Sequence, residues 1–181
     1  LRVIYNGINL DLYNNVKKIK SKNFTIGTIG RLDVQKGIDT LLLSFKQILI
    51  KYPDTKLEII GDGPLKKEYT NLSLKLGINH NVTFVGYIQP EEVRLRMARW
   101  NLFILASRWE GFGMVLIEAG AMAIPIIATK VEAIPEIIVN GYNGYLVNPN
   151  KPNQIYEKAL HLIESPKECF EIGNNGKINV H

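Results

Sequence analysis

The stretch FTIGTIGRLDVQKGIDTLLLSFKQILIK, residues 24–51, runs from a strand through a loop into a helix. Phe24 to Gly30 is short and apolar and ends on glycine, the pattern of a buried strand. In Ile38 to Lys51, Ile38, Leu41, Leu42, Phe45, Ile48 and Leu49 recur at spacings of three and four. That period places them on one helical face. A strand feeding a helix through a short connector is the unit from which parallel sheets are built.

The same unit recurs on the C-terminal side. Lys56 to Ile60 is a strand, Gly61-Asp62-Gly63-Pro64 a turn, and Leu65 to Leu76 a helix stopped by Gly77. Val82 to Gly86 is the next strand. Pro90-Glu91-Glu92 opens a helix, because proline suits the first helical position and acids suit the positive end of the helix dipole. Leu102 to Ala106 is a strand, Gly111-Phe112-Gly113 a loop, and Met114 to Met122 a helix. Ile124 to Ala128 is a strand and Pro135 to Val139 a short helix. Asn140-Gly141 and Asn143-Gly144 are turn signals before the strand Tyr145 to Val147, and Gln154 to Glu164 is a late helix. The chain then stops at Val180-His181 with no closing element expected. This succession predicts an α/β fold: a Rossmann-like, doubly wound parallel sheet with helices on both faces, residues 1–181 forming a single domain. Ligands of such sheets bind outside the strand C-terminal ends. The loops after Gly30, Ile60, Gly86 and Ala106 are therefore the ones that matter.

The composition agrees. With 181 residues, 46% of them hydrophobic and 22% charged, the chain can build an apolar core and is not disordered. No apolar run approaches the length of a membrane span. One cysteine, Cys169, excludes an internal disulfide and a cysteine-based zinc site, and three scattered histidines argue against a histidine-rich metal site. The net charge of +5 permits an anionic ligand without requiring nucleic acid. The chain begins at Leu1, in what reads as mid-strand, with no signal peptide visible. A fragment of a longer, cytoplasmic polypeptide is the expectation. Arg94, Arg96 and Arg99 leave open a peripheral contact with an anionic membrane surface, against a default of a solvated helix face.

Several chemistries are absent. There is no G-x-x-x-x-G-K-[ST] phosphate loop and no G-x-S-x-G nucleophile elbow. Gly61 and Gly63 begin a G-x-G-x-x-G fingerprint, but the third glycine is replaced by Lys66. A dinucleotide-dependent oxidoreductase thereby loses its main support.

Three loops carry candidate chemistry. In Gly30-Arg31-Leu32-Asp33-Val34-Gln35-Lys36-Gly37, two cations precede a helix start. An Arg fork, a Lys point charge and free helix N–H groups together can hold a diphosphate. Both cations are expected to be exposed. In Ala106-Ser107-Arg108-Trp109-Glu110-Gly111-Phe112-Gly113, two glycines allow a ligand close to the backbone, again at a helix start. Glu118 lies about one turn into that helix, among apolar Val115, Leu116, Ile117 and Ala119. In Thr83-Phe84-Val85-Gly86-Tyr87, the glycine and tyrosine form either a flat slot for a base or a plain turn with a packing tyrosine.

Taken together and in order, these blocks resemble the C-terminal, donor-binding domain of retaining glycosyltransferases of the GT-B fold, glycosyltransferase family four. The resemblance covers almost the whole chain. It runs from Tyr5-Asn6-Gly7-Ile8-Asn9 through Gly30-Arg31-Leu32, Lys36-Gly37, residues 57–64 and residues 82–86. It continues through Glu110-Gly111-Phe112-Gly113 with Glu118-Ala119, a two-glutamate signature with seven residues between. Pro125, Pro135-Glu136 and residues 143–147 close it. The resemblance implies a donor-binding set of Gly30, Arg31, Lys36, Gly61, Gly86, Tyr87, Glu110, Gly111, Phe112, Gly113, Met114, Val115 and Glu118. Of these, Arg31, Lys36 and Glu110 are the implied catalytic residues. Arg31 and Lys36 would neutralise the diphosphate of a UDP- or GDP-sugar without a metal, Glu110 would touch the sugar and Glu118 the ribose. The implied partner is an N-terminal acceptor domain, missing here together with the last helix that crosses back to it. The competing hypothesis is a non-catalytic nucleotide-sugar-binding module or a gene remnant.

Four departures from the family pattern stand out. Ala106 replaces a usual proline, Trp100-Asn101 a usual Ala-Asp, Ala123 a usual glycine, and Glu132-Ala133 a usual Gly-Gly.

Overall fold

The structure, a computed structural model, describes residues 7–180. The entry motif at Tyr5-Asn6 therefore lies partly outside the described residues. A one-turn helix α1 (Asp11–Asn14) precedes alternating strands and helices. These are β1 (Thr25–Ile29), α2 (Ile38–Lys51), β2 (Lys56–Ile60), α3 (Lys66–Lys75), β3 (Val82–Gly86) and α4 (Pro90–Met97). They continue as β4 (Leu102–Leu105), α5 (Met114–Ala121), β5 (Ile126–Thr129), α6 (Ile134–Ile137), β6 (Tyr145–Val147), α7 (Pro152–Glu164) and α8 (Pro166–Val180). The six strands form one sheet in the order β3-β2-β1-β4-β5-β6, and every strand pairing is parallel.

The strands are apolar on both sides because both sheet faces are covered. In β4, Leu102 and Ile104 enter one core with Leu41, Phe45 and Ile48 of α2 and Ile155 of α7. Phe103 and Leu105 enter the other, with Met97, Leu116 and Ile134. That alternation is the two-residue period of a strand. The second core carries the Trp100 departure. Trp100 is fully buried and donates from Nε1 to Glu58 Oε2 at 2.8 Å. A Cβ added at Gly27 would lie 2.0 Å from its ring, so the glycine in β1 makes room for the indole. Asn101 Oδ1 accepts from the Thr25 N–H at 2.8 Å, tying the start of β4 to the start of β1.

One expectation fails. The chain does have a closing element: α8 spans Pro166–Val180 and packs on α5 and α7. Its glycines, poor for helix propensity, are what allow it. A Cβ at Gly173 would lie 2.5 Å from the Ala123 carbonyl oxygen, so the helix approaches the α5–β5 turn backbone to backbone. Glu168 anchors its first turn. It accepts from the Tyr145 hydroxyl of β6 and lies 2.7 Å from His161 Nε2 of α7.

Ala123 itself has φ +51°, which explains the glycine usual in the family. An L-residue pays about 1–2 kcal/mol for that region, and glycine gives back part of the gain through its freer unfolded chain. Ala123→Gly should therefore stabilise by about 0.5–1 kcal/mol. A urea midpoint that rises with an unchanged slope would show it; an unchanged or lower midpoint would refute it.

Candidate functional site

The strand order fixes where a ligand can go. From β1 the chain steps to β2 and β3, then returns to place β4 on the other side of β1. The connections after β1 and β4 diverge to opposite faces and leave a crevice between their C-terminal ends. The loop at residues 30–37 and the loop at residues 106–113 meet there.

The first loop is shaped by close backbone approach. Gly61 has φ +128°, and a Cβ on it would lie 2.0 Å from the Gly30 carbonyl oxygen. Gly30 N–H donates to Ile60 O at 3.0 Å and Leu32 N–H to Asp62 O at 2.9 Å. A 3-10 turn, Val34–Lys36, follows, capped by Asp33 Oδ1 accepting from Gln35 N–H at 3.0 Å. Gly37 adopts φ +59°, with its Cα so close to Ala106 that a side chain would strike that carbonyl.

The two cations differ in kind. Arg31 points outward, 72% exposed, and pairs with Asp33 at 3.3 Å. Lys36 is not exposed, contrary to expectation. Its side chain is 14% exposed and its stem lies against Gly30. Its Nζ is 2.5 Å from Glu110 Oε2, and the same carboxylate oxygen accepts from the buried Ser107 hydroxyl at 3.0 Å. The reason is topological: β1 and β4 are neighbours, so the loops that follow them face each other.

Residues that sequence reasoning missed hold the two loops together. Arg108 N–H donates to Gln35 O at 2.7 Å, and its guanidinium donates to Val34 O and Asp39 Oδ2, both at 2.6 Å. Gln35 Nε2 donates to Trp109 O at 3.1 Å. Glu132 occupies φ +43° where the family has glycine, and its carboxylate accepts from the Glu110 N–H at 2.7 Å. The strained backbone is thus matched by a hydrogen bond that glycine cannot make.

Gly113 (φ +82°) turns the chain into α5, with Gly111 exposed and Phe112, Met114 and Val115 half-buried around the helix start. Glu118, one turn on, is half-buried, and burial raises its carboxyl above the usual carboxylate range. The Tyr13 hydroxyl and the Arg94 charge pull it back down. On the far side of the crevice, Gly86 (φ +85°) accepts from Gly61 N–H at 2.9 Å. Tyr87 beside it is 74% exposed, so the alternative of a packing tyrosine falls.

The basic run is also corrected. Arg94 turns inward onto Tyr13, and Arg96 pairs with Glu58 and Glu92; of the three, Arg99 is exposed. Among the described residues, no helix is long and apolar enough to cross a membrane, and no group of three or more His, Cys, Asp or Glu side chains is placed to hold a metal ion.

Comparison with known proteins bears on this arrangement. Residues 11–179 match the family model for glycosyl transferases group 1. An uncharacterised glycosyltransferase of Methanocaldococcus jannaschii is 36% identical over 97% of this chain and 47% of its own length. The capsular polysaccharide biosynthesis glycosyltransferase CapM of Staphylococcus aureus is 34% identical over 95% of this chain and 45% of its own. The chain thus spans about half the length of these curated relatives. Among solved structures, the C-terminal domain of the group 1 glycosyl transferase LpcC of Francisella tularensis superposes with a TM-score of 0.83 at 31% identity, covering 96% of each chain. Anabaena HepE, solved in complex with UDP and glucose, superposes with a TM-score of 0.87 at 25% identity, covering 99% of this chain and 51% of its own. By sequence and by fold, the chain belongs to the glycosyl transferases group 1 family and has the architecture of the C-terminal half of its GT-B fold.

Proposed function

We propose that this chain is the donor-binding half of a glycosyltransferase that moves a sugar from a UDP- or GDP-sugar to a glycan or lipid-linked saccharide, with retained anomeric configuration. The observation that carries this reading is the Lys36–Glu110 pair in the β1/β4 crevice, beside outward-pointing Arg31 and the start of α5. HepE, of the same fold, is a chain solved with UDP and glucose.

In this reading the diphosphate lies across the loop at residues 30–37. As the glycosidic bond breaks, negative charge builds on the leaving diphosphate, and fixed donors aimed at it lower the barrier. Arg31 supplies a planar fork and Lys36 a point charge, with no metal required, and the N–H groups at the start of α5 add to them. When Lys36 engages phosphate, Glu110 is left to accept a hydroxyl of the donor sugar. Glu118 accepts the ribose hydroxyls, and the Gly61, Gly86 and Tyr87 surface receives the base.

One wall binds the donor but does not orient an acceptor or exclude water. The 181-residue chain is therefore expected to bind UDP or GDP weakly and to show no turnover. Joined to its upstream acceptor half, it is expected to bind more tightly and to transfer with retention. Calorimetry and an anomer-resolved transfer assay check this. Robust transfer to a specific acceptor by the isolated chain would overturn it.

A further inference from the structure

The loop after β5 reaches the crevice through two hydrogen bonds. The buried Thr129 hydroxyl donates to the Ser107 carbonyl at 2.6 Å. Three residues on, Glu132 Oε2 accepts from the Glu110 N–H at 2.7 Å. It does so from φ +43°, a conformation that residues other than glycine adopt rarely and at a cost. Strain of this kind persists where the surroundings hold it in place, and it gathers at binding sites. Glu132 is nevertheless exposed, and among the described residues it pairs with no cation. The cations of the two loops are engaged elsewhere: Lys36 with Glu110, Arg108 with Asp39, and Arg31 with Asp33. Lys130, two residues before Glu132, is exposed and forms no ion pair with it. The Glu110 end of the crevice thus carries two carboxylates against one cation.

We propose that Glu132 is a specificity-determining residue: its unpaired carboxylate, hydrogen-bonded to the backbone of Glu110, makes the sugar end of the crevice take an uncharged sugar and reject a uronic acid. This rests on the reading of Glu110 as the ligand of the donor sugar. A uronic acid differs from the parent hexose by a carboxylate in place of the terminal hydroxymethyl group, so it brings one more negative charge to the same end. With diphosphate bound, Arg31 and Lys36 face phosphate, and Arg108 stays on Asp39 and the Val34 carbonyl. A uronate entering there loses water, finds no cation in these loops to replace it, and meets like charge on Glu110 and Glu132. Sugar hydroxyls meet the opposite situation, because they can donate to either carboxylate. A carboxylate has about four acceptor positions, and the Glu110 N–H takes one of those on Glu132. Discrimination by placed repulsion needs no contact with the favoured sugar, only a charge fixed near it. The bond to Glu110 is what fixes the charge.

The test is calorimetry on the 181-residue chain with UDP, UDP-glucose and UDP-glucuronate, and with GDP, GDP-mannose and GDP-mannuronate as the guanine set. Each sugar nucleotide is referred to its free nucleoside diphosphate, which isolates the sugar. The parent is expected to bind the uronate donor at least about tenfold more weakly than the neutral one. Glu132→Gln keeps an oxygen for the Glu110 N–H and removes only the charge. There the discrimination is expected to fall about fivefold, the effect of one like charge about 4 Å away in water. Glu132→Gly, which relieves the positive φ and removes the whole side chain, is expected to relax it at least as far. Discrimination that is unchanged in Glu132→Gln overturns the inference, whatever Glu132→Gly does. A parent that binds the diphosphate but takes the neutral and uronate donors equally well overturns the inference alone. A parent that binds neither UDP nor GDP overturns the donor-binding reading and this inference with it.

Discussion

Lys36→Ala is expected to lose both nucleotide affinity and stability, whereas Arg31→Ala is expected to lose affinity alone. The sequence presents the two cations as equivalents on one loop; the structure does not. Lys36 neutralises Glu110 in a pair whose side chains are 14% and 11% exposed. Removing one member of a buried pair leaves a desolvated charge, at a cost of about 3–5 kcal/mol when burial is complete. Here the Ser107 hydroxyl still serves Glu110 and the crevice is open, so about 2–3 kcal/mol is expected. Arg31, exposed and paired among the described residues with Asp33, should change stability by less than about 0.5 kcal/mol. Both variants should weaken UDP or GDP binding about tenfold or more, the worth of a charge-assisted bond to phosphate. The double variant Lys36→Met with Glu110→Gln should recover most of the stability and none of the affinity. Urea unfolding and calorimetry separate these effects. Full stability in Lys36→Ala would show that the pair contributes nothing to the fold, and unchanged affinity in both single variants would remove the diphosphate assignment.

Trp100→Ala should be the most damaging core substitution, at about 3–5 kcal/mol. The indole is fully buried, stacks on Phe103 with centroids 6.2 Å apart, and satisfies Glu58. Its removal leaves a large cavity over β1 and strands the Glu58 carboxylate with Arg96 at 3.5 Å. Gly27→Ala should be comparably harmful for the opposite reason, because its methyl would sit within the ring's own volume. The two changes are coupled. In the Trp100→Ala background the Gly27 methyl fills space instead of creating a clash, so Gly27→Ala should there be close to neutral. Equal costs of Gly27→Ala in both backgrounds would mean that the indole is not what demands glycine.

The fold was legible because it depends on local period. The strands β2, β3 and β6 and the helix α2 fall on the residues their patterns indicate. What escaped has a different cause. Helix α8 contains Gly173, Asn174, Asn175 and Gly176, poor helix formers, and exists because it packs on α5 and α7. Helix α1 is a single turn and shows no period at all. The site divides in the same way. Its glycines were legible as the ends of strands and the starts of helices, although the backbone each one meets, Gly30 at Gly61 and Ala106 at Gly37, lies far off in sequence. The pairing of Lys36 with Glu110 and the grip of Arg108 on Val34 and Asp39 were not. Each joins residues from different loops, and only the strand order says which loops meet. Ala123 and Glu132 stood out against the family pattern, but the structure supplies the reason: both occupy positive φ.

The strand order also imposes a timetable. During synthesis β1 can pair with β2 as soon as Lys56 to Ile60 emerges, because the two are joined by one helix. Its other edge must wait for β4, whose Leu102 and Phe103 lie opposite Ile26 and Gly27. Until then β1 shows the ribosome-bound chain a row of unpaired backbone groups, one of them at a glycine with no side chain to shield it. Closing so distant a contact is slow, and an open edge invites pairing with the wrong neighbour. The crevice between β1 and β4 therefore cannot form, or bind a nucleotide, until β4 has emerged and the central pairing of the sheet is complete.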